Sequence, residues 1–419
     1  MYMDNITNTR KYDIAILGGG AAGMTAAVTA AQNGAQVLIL EHTTRLGKKI
    51  PATGNGKCNI TNENQNLANY RADNSDFIET VLEKFGYKDT IKFFEQIGVV
   101  TYSKNGYIYP RSNQASCVLD ALRFSLAEAG VNIIEDIFIK SIERQDDKWL
   151  LTSKKGIFLA DKVIFALGGL SSPKTGSDGC GYMLLDRLGH KMKRQLPALC
   201  ALKCREDFYK SISGIRTAAS VILSVDGEYI SADSGELQLT SYGISGIPVF
   251  QISRFASYAL DDNKKVKVII DFMEEYNKDE LYDLLSIMMG RLSDREIQDV
   301  LGGLINKKLA VLLCKLSGIK PSEQAGNISS HQINSLVNYL KNFETEIIET
   351  MDFDNAQTTA GGIYISDINP ETMESKLQKG IYFAGEMIDV DGKCGGYNLQ
   401  WAWSTGYIAG LSASGGKNA

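Results

Sequence analysis

Three glycines and one carboxylate have types and spacing that suit a single piece of chemistry. Gly18, Gly20 and Gly23 form G-x-G-x-x-G directly behind the apolar run Asp13–Leu17, and the small-residue stretch Ala21–Ala31 follows. A second apolar run, Gln36–Leu40, ends on Glu41, roughly twenty residues beyond the last glycine. Each part has a physical task in gripping a dinucleotide. Gly18 permits a tight turn, Gly20 lets backbone N–H groups approach a pyrophosphate, and Gly23 lets the helix sit close on its strand. The backbone N–H groups of Ala21 and Ala22 open that helix, whose positive dipole end faces the phosphates. Glu41 is suited to accept both hydroxyls of a ribose and to repel a 2′-phosphate. An adenine dinucleotide is therefore expected here.

A second constellation lies near the other end of the chain. Ile381–Ala384 reads as a strand ending in Gly385-Glu386, and the glycine turn Gly392-Lys393-Cys394-Gly395-Gly396 opens a helix from Tyr397 to about Leu411. A strand ending in Ala-Gly-Glu that returns to a dinucleotide unit suits FAD better than a nicotinamide. FAD extends across the sheet and needs a distant second anchor, and Glu386 can accept from a ribityl hydroxyl. The helix opening at Tyr397, with Asn398 and Leu399 in its first turn, aims free N–H groups at the pyrimidine end of a flavin ring. Between the anchors, Lys48 and the loop Thr53–Asn59, with Gly54, Asn55 and Gly56, offer backbone amides and cations to a phosphate-bearing ligand. Lys57, Tyr242 and Tyr397 are candidate proton donors, none singled out by spacing, so no catalytic residue is assigned. Trp401 and Trp403 face different ways on their helix, and at least one belongs to core.

Composition narrows the alternatives. The chain has 419 residues, a net charge of −5 and scattered Lys and Arg, which argues against nucleic acid as a main partner. No run of eighteen apolar residues appears, so no membrane span is expected, and Met1–Arg10 reads as a loose polar lead-in without a signal core. Seven cysteines at irregular spacing suit reduced thiols in a cytoplasm. Cys200 and Cys204 lack partners for a metal set, and no metal is expected. Cys58 stands without the C-x-x-C of a disulfide oxidoreductase. With only His42, His190 and His331, a histidine-centred triad is improbable, and the chemistry belongs to a cofactor.

The elements that must position these residues follow the apolar pattern. One helix is expected over about 76–98 and another over Leu119–Ala129. A three-stranded meander spans 131–159, and a buried strand, 162–167, runs into a second glycine loop, Ser171–Gly179. Gly168-Gly169 does not repeat the fingerprint, so a separate nicotinamide-binding Rossmann domain is not expected. Beyond about Lys193 come strands near 221–228, 237–239 and 266–270, a helix begun by Pro248, and helical patterns from Asp279 to Asn342. The organisation expected is α/β: a Rossmann-like domain in two parts, 1–192 and 356–419, around an inserted subdomain, 193–355, of strands followed by helices.

These stretches resemble the flavoprotein family that includes aminoacetone oxidases and dehydro-bile-acid reductases. The resemblance covers nearly the whole chain and rests on Gly18–Gly23, Thr53–Asn59, Gly168–Gly181, Thr359–Ile363 and Gly380–Gly410. It implies a glutathione-reductase-like FAD domain with an inserted β-barrel-like subdomain and a helical cap. It implies that Gly18, Gly20, Gly23 and Glu41 hold the ADP half of FAD, with Lys48 and Gly54–Gly56 along the pyrophosphate and flavin. Glu386 and Asn398 would lie near the ribityl chain and ring. Asn55 and Lys57 depart from the Gly and Arg usual in relatives, and Leu167 from an Ala-Thr-Gly strand end. The function implied is hydride transfer through flavin, with NADH or NADPH visiting transiently to reduce an enone-type small molecule such as a dehydro bile acid. The alternatives are an aminoketone oxidase that releases hydrogen peroxide, and a flavin-binding sensor without turnover. The oligomeric state is not legible.

Overall fold

A computed structural model describes residues 11–416, so the lead-in Met1–Arg10 lies outside the described residues. The chain divides into two units, one comprising residues up to Gln195 and from Thr358 on, the other Leu196–Gln357. The corresponding borders expected from composition fell near 192/193 and 355/356.

The first unit is built on a seven-stranded sheet. Lys11–Leu17 lies at its centre, parallel to Val37–Leu40 on one side and to the second half of Gly156–Phe165 on the other. Asn132–Ile134 extends the parallel set beyond Val37–Leu40, and Ile381–Phe383 joins alongside Gly156–Phe165. The first half of Gly156–Phe165 instead pairs antiparallel with Lys148–Ser153, and that strand with Ile139–Gln145. The meander therefore differs from expectation. Its last strand and the buried strand are one continuous element, while Asn132–Ile134 belongs to the parallel edge. Near-continuous apolar runs buried on both faces are what parallel strands require, and Ile14, Ile16, Leu38, Ile39, Val163 and Ile164 are fully buried.

Two helices lie together beside this sheet, Ala21–Gln32 and Tyr397–Ala413. A Cβ on Gly406 would lie 2.4 Å from the Ala22 carbonyl oxygen, and one on Gly410 would lie 2.4 Å from that of Ala26. Only bare backbone permits this approach. Trp401 and Trp403 are both buried; the Trp403 indole donates to the Ile60 carbonyl at 2.9 Å and meets the Phe94 ring edge-on at 5.0 Å.

The helix expected over 76–98 is two, Ser75–Lys84 and Tyr87–Gln96. Gly86 breaks it in an extended conformation, and the Asp89 carboxylate accepts the Gly86 N–H at 3.0 Å as a cap. The carbonyl freed at Phe85 is satisfied from far along the chain, by Gln400 Nε2 at 3.2 Å and Ser404 Oγ at 2.6 Å. An unanticipated hairpin joins Thr101–Lys104 to Tyr107–Pro110, its turn made by Asn105-Gly106 with φ of 54° and 84°.

The second unit contains a closed antiparallel barrel of six strands. Its longest hairpin, Arg216–Val225 with Glu228–Thr240, turns at Asp226-Gly227, so the strand read near 221–228 ends at this turn and the one read near 237–239 is the far end of its partner. Ile247–Asp261 packs on the barrel, and Lys278–Arg291, Ile297–Leu301, Lys307–Leu316 and Ser330–Lys341 follow. Val221, Leu223, Leu237, Ile244, Val268 and Leu309 lie in a core of their own.

Ahead of strand Ile381–Phe383, the buried His190 ring pins the preceding loop. Its Nε2 lies 3.0 Å from Ser375 Oγ, its Nδ1 lies 3.5 Å from an Asp367 oxygen, and its ring meets Phe383 edge-on. Burial holds the His190 pKa below its ordinary value, against the opposing pull of Asp367. A depressed histidine binds its proton less readily folded than unfolded, so its contribution is complete above the unfolded value of about 6.5 and is lost as pH falls below it. Urea unfolding should show stability declining from about pH 6.5 downward, with a shallower decline in His190→Gln; an unchanged pH dependence in that variant refutes the assignment.

Candidate functional site

The carboxyl ends of the parallel strands meet the ends of the two packed helices, and the site lies there, as the open α/β rule requires. Each glycine of the fingerprint has a distinct environment. Gly18 has φ +98°, and a Cβ there would lie 2.5 Å from the Ala166 carbonyl. A Cβ on Gly23 would lie 1.9 Å from the Gly18 carbonyl, so the helix rests on its own turn. Gly20 differs: nothing lies within 4 Å of its would-be Cβ. It caps the helix without a side chain, so the first-turn N–H groups, those of Ala21 and Ala22 among them, face that open space.

Glu41 is buried and held on both oxygens, accepting the Gly19 N–H and the Thr43 N–H, each at 2.7 Å. Its carboxylate is thus fixed in orientation beside the glycine turn. The loop that follows carries Gly54 and Asn55 in the left-handed region, φ 55° and 52°, and leaves Gly54, Asn55 and Gly56 exposed. No atom lies within 4 Å of a Cβ on Gly56.

The C-terminal anchor reaches the same place. A Cβ on Gly385 would stand 2.9 Å from Ala22 Cβ, and the Gly385 N–H donates to Thr405 Oγ1 at 2.9 Å. Glu386 accepts the Thr359 N–H at 2.9 Å on one oxygen, and its other oxygen lies 2.8 Å from the Lys49 ammonium. Thr359 Oγ1 in turn accepts the N–H groups of Leu170 and Ser171, tying in the second glycine loop. Sequence reading selected Lys48; it is Lys49 whose ammonium reaches Glu386. Adjacent lysines in a loop of unknown twist carry no signal that separates them.

The first turn of the helix at Tyr397 opens behind Gly396, with no side-chain cap. Asn398 uses its amide to close the turn: Oδ1 accepts the Gly392 N–H and Nδ2 donates to the Gly392 carbonyl, both at 2.9 Å. The Asn398 amide is therefore engaged within the turn, and Asn398 and Leu399, read from sequence as residues near a ring, stand in the first turn of this helix. Beneath the turn, Asn59 Oδ1 is buried without a hydrogen-bond partner among the described residues, and a Cβ on Gly396 would lie 3.0 Å from it. Of the candidate proton donors, Tyr397 is buried, its hydroxyl accepting from Asn69 Nδ2 at 3.0 Å, and burial raises its pKa. Lys57 is exposed on the loop, and Tyr242 is exposed in the second unit. Cys58 is buried, which pushes its thiol up to about 12 and makes it inert.

Sequence reading missed Gln400. It is fully buried, its oxygen accepting Thr61 Oγ1 at 2.5 Å and Thr90 Oγ1 at 3.0 Å, its nitrogen donating to Ser404 Oγ at 2.8 Å. An uncharged residue mid-helix, satisfied by partners hundreds of positions away, leaves no local signal.

Two uncapped helix ends, the fixed carboxylates Glu41 and Glu386 and the open space over Gly20 fit an extended dinucleotide that carries a pyrophosphate. A Rossmann unit so completed is that of an FAD-dependent oxidoreductase. Comparison with known proteins agrees. The family model described as HI0933-like protein Rossmann domain matches residues 12–412, and the chain belongs to that family. It is similar to a 3-dehydro-bile acid delta(4,6)-reductase of Clostridium scindens, 40% identical over 96% of this chain and 98% of the relative. It is also similar to a ribosomal RNA dihydrouridine synthase of Haemophilus influenzae, 29% identical over 95% and 98% of the two chains. A solved 3-ketosteroid delta1-dehydrogenase of Sterolibacterium denitrificans shares the fold, with a TM-score of 0.54 at 12% identity, covering 98% of this chain and all of that one.

The sequence reading puts a pyrophosphate over Gly20, where the structure leaves open space, so a side chain there should block the ligand without disturbing the turn. Gly20→Val should purify folded and colourless, with less than a tenth of the wild-type ratio of flavin to protein absorbance. A yellow, fully loaded variant contradicts the assignment.

Proposed function

We propose that this protein uses FAD to reduce a carbon–carbon double bond conjugated to a ring carbonyl in a small, largely apolar molecule, a 3-dehydro bile acid being the sharpest candidate. The observation that carries this reading is the 40% identity, end to end, with the delta(4,6)-reductase. The dihydrouridine synthases point to the same bond chemistry, since their activity as named also concerns a ring double bond beside a carbonyl.

In this reading FAD supplies hydride transfer through its N5. The chain's residues bind and orient. The first-turn N–H groups at Ala21, Ala22 and Gly23 receive the pyrophosphate, and Glu41 the adenosine ribose. Glu386, aligned by Lys49 and Thr359, receives a ribityl hydroxyl. The first turn at Tyr397–Leu399 would present its N–H groups to the ring, which would favour the negative charge it gains on reduction. One dinucleotide fold is present among the described residues, the other unit being a barrel with helices. NADH or NADPH therefore visits the flavin and leaves rather than occupying a domain of its own.

A small-molecule substrate is favoured over RNA by the charge pattern. The net charge is −5, and cations on the barrel exterior are neutralised by acids: Lys203 by Glu349, Arg205 by Glu346, Lys267 by Glu344. A phosphate backbone requires unneutralised cations in a row.

Anaerobic stopped-flow absorbance tests the reading. Oxidised flavin should bleach with NADH or NADPH alone, and colour should return on adding a 3-oxo-Δ4 steroid acid. Bleaching by an aminoketone alone identifies an amine oxidase instead. Recolouring only with uridine-containing RNA replaces the small substrate by a nucleic acid.

A further inference from the structure

The hairpin of Thr101–Lys104 with Tyr107–Pro110 supplies none of the residues assigned to FAD, yet it is fastened beside them within the first unit. Its second strand pairs with Thr61-Asn62, which sets Asn62 opposite Tyr107. The Asn62 amide donates to the Gly395 carbonyl at 3.0 Å, and a Cβ on Gly395 would lie 3.0 Å from the Tyr107 ring. The hairpin thus abuts the glycine turn that opens the C-terminal helix. We infer that one face of this hairpin seats the substrate, Tyr107 and Tyr109 receiving its ring carbonyl and Arg111 an anionic tail at the far end. This inference rests on the proposed reduction, since it takes the turn at Gly395-Gly396 to lie at the flavin ring.

Strand alternation carries the argument. Tyr107, Tyr109 and Arg111 stand two residues apart and share a face, while Ile108 and Pro110 are buried on the other. Pairing continues past the end of the strand, where the Arg111 N–H donates to the Val100 carbonyl at 2.8 Å. Tyr102 lies opposite Tyr109 and completes the face. Its ring centre is 6.1 Å from that of Tyr109, and the Arg111 guanidinium stands over it at 5.7 Å. Aromatic rings in such a row give an apolar ring system a broad contact with polar tips at its edge. Tyr107 keeps 38% of its surface exposed, so the row is open to a ligand.

The polar groups divide between the two ends. The Tyr102 hydroxyl is committed, donating to Asn113 Oδ1 at 2.6 Å. Those of Tyr107 and Tyr109 have no hydrogen-bond partner among the described residues. Burial first, then the neighbouring Tyr107, Cys394 and Tyr102, raise the Tyr109 pKa, so this phenol keeps its proton and can donate it to a carbonyl. Lys104, exposed opposite Tyr107 at the tip, adds a second donor there. At the other end Arg111 is exposed and has no acid partner among the described residues. Its planar fork suits a carboxylate. With a rise of about 3.3 Å per residue, Tyr107 and Arg111 stand roughly 13 Å apart. A fused-ring ketone with a short acid side chain has its two polar ends separated in this way.

Equilibrium dialysis of the oxidised, FAD-loaded protein against a 3-oxo-Δ4 steroid acid and against its uncharged amide tests the seat. Without NADH or NADPH neither ligand is reduced, so affinity is read apart from turnover. Arg111→Ala should weaken the acid by roughly tenfold and leave the amide unchanged, whereas Tyr107→Phe should weaken both alike, by roughly fivefold. The flavin spectrum of each variant reports its folding and loading. Equal weakening of acid and amide by Arg111→Ala, or unchanged acid affinity in either variant, overturns the seat and leaves the proposed reduction standing. Wild-type protein that binds neither ligand contradicts the proposed substrate, and the seat falls with it.

Discussion

The contact on which the site depends is the close packing of helices Ala21–Gln32 and Tyr397–Ala413. These segments are nearly four hundred residues apart in the chain, yet the backbone of Gly406 and Gly410 rests against Ala22 and Ala26 with no room for a methyl group. Each helix opens at an uncapped glycine, Gly20 or Gly396. Setting the helices side by side gives the unit two N–H-rich ends. An extended dinucleotide with a charged pyrophosphate at its middle and a ring that gains negative charge on reduction asks for that arrangement, and neither helix supplies it alone.

Polar contacts then lock what packing brings together. Gly385 approaches Ala22, Thr405 fixes the Gly385 N–H, and Lys49 and Thr359 share the Glu386 carboxylate. Gln400 ties the C-terminal helix to Thr61 and Thr90 and, with Ser404, satisfies the carbonyl at the helix break before Gly86. Buried amides that satisfy several partners at once specify one arrangement, because any shift leaves polar atoms without partners. The barrel unit has its own core, so changes within it need not disturb the dinucleotide unit.

Much of this was legible from residue types at close spacing. The fingerprint glycines, Glu41 and the Ala-Gly-Glu strand end are local patterns with local causes, and the structure puts them at one set of strand ends. What stayed hidden is set by distant partners. The break at Gly86 depends on Gln400 and Ser404. That the Lys49 ammonium reaches Glu386 joins positions 337 residues apart, which no local pattern signals. The Asn398 amide is taken up by the turn at Gly392, a use that its place in the first turn of a helix does not announce. The continuous strand Gly156–Phe165 changes partners midway, from antiparallel to parallel, and its polar centre at Asp161-Lys162 imitates a turn.

The most direct measurement is the FAD dissociation constant of Gly406→Ala beside that of Gly290→Ala, a helical position where the added methyl meets nothing within 4 Å. Gly406 lies on the helix contact rather than among the residues assigned to FAD, so its methyl group can act only by pushing the two helices apart. Loss of affinity by tenfold or more in Gly406→Ala, with Gly290→Ala unchanged, is the predicted result. Equal FAD affinity in both folded variants contradicts the claim that close helix packing sets the two anchors in register.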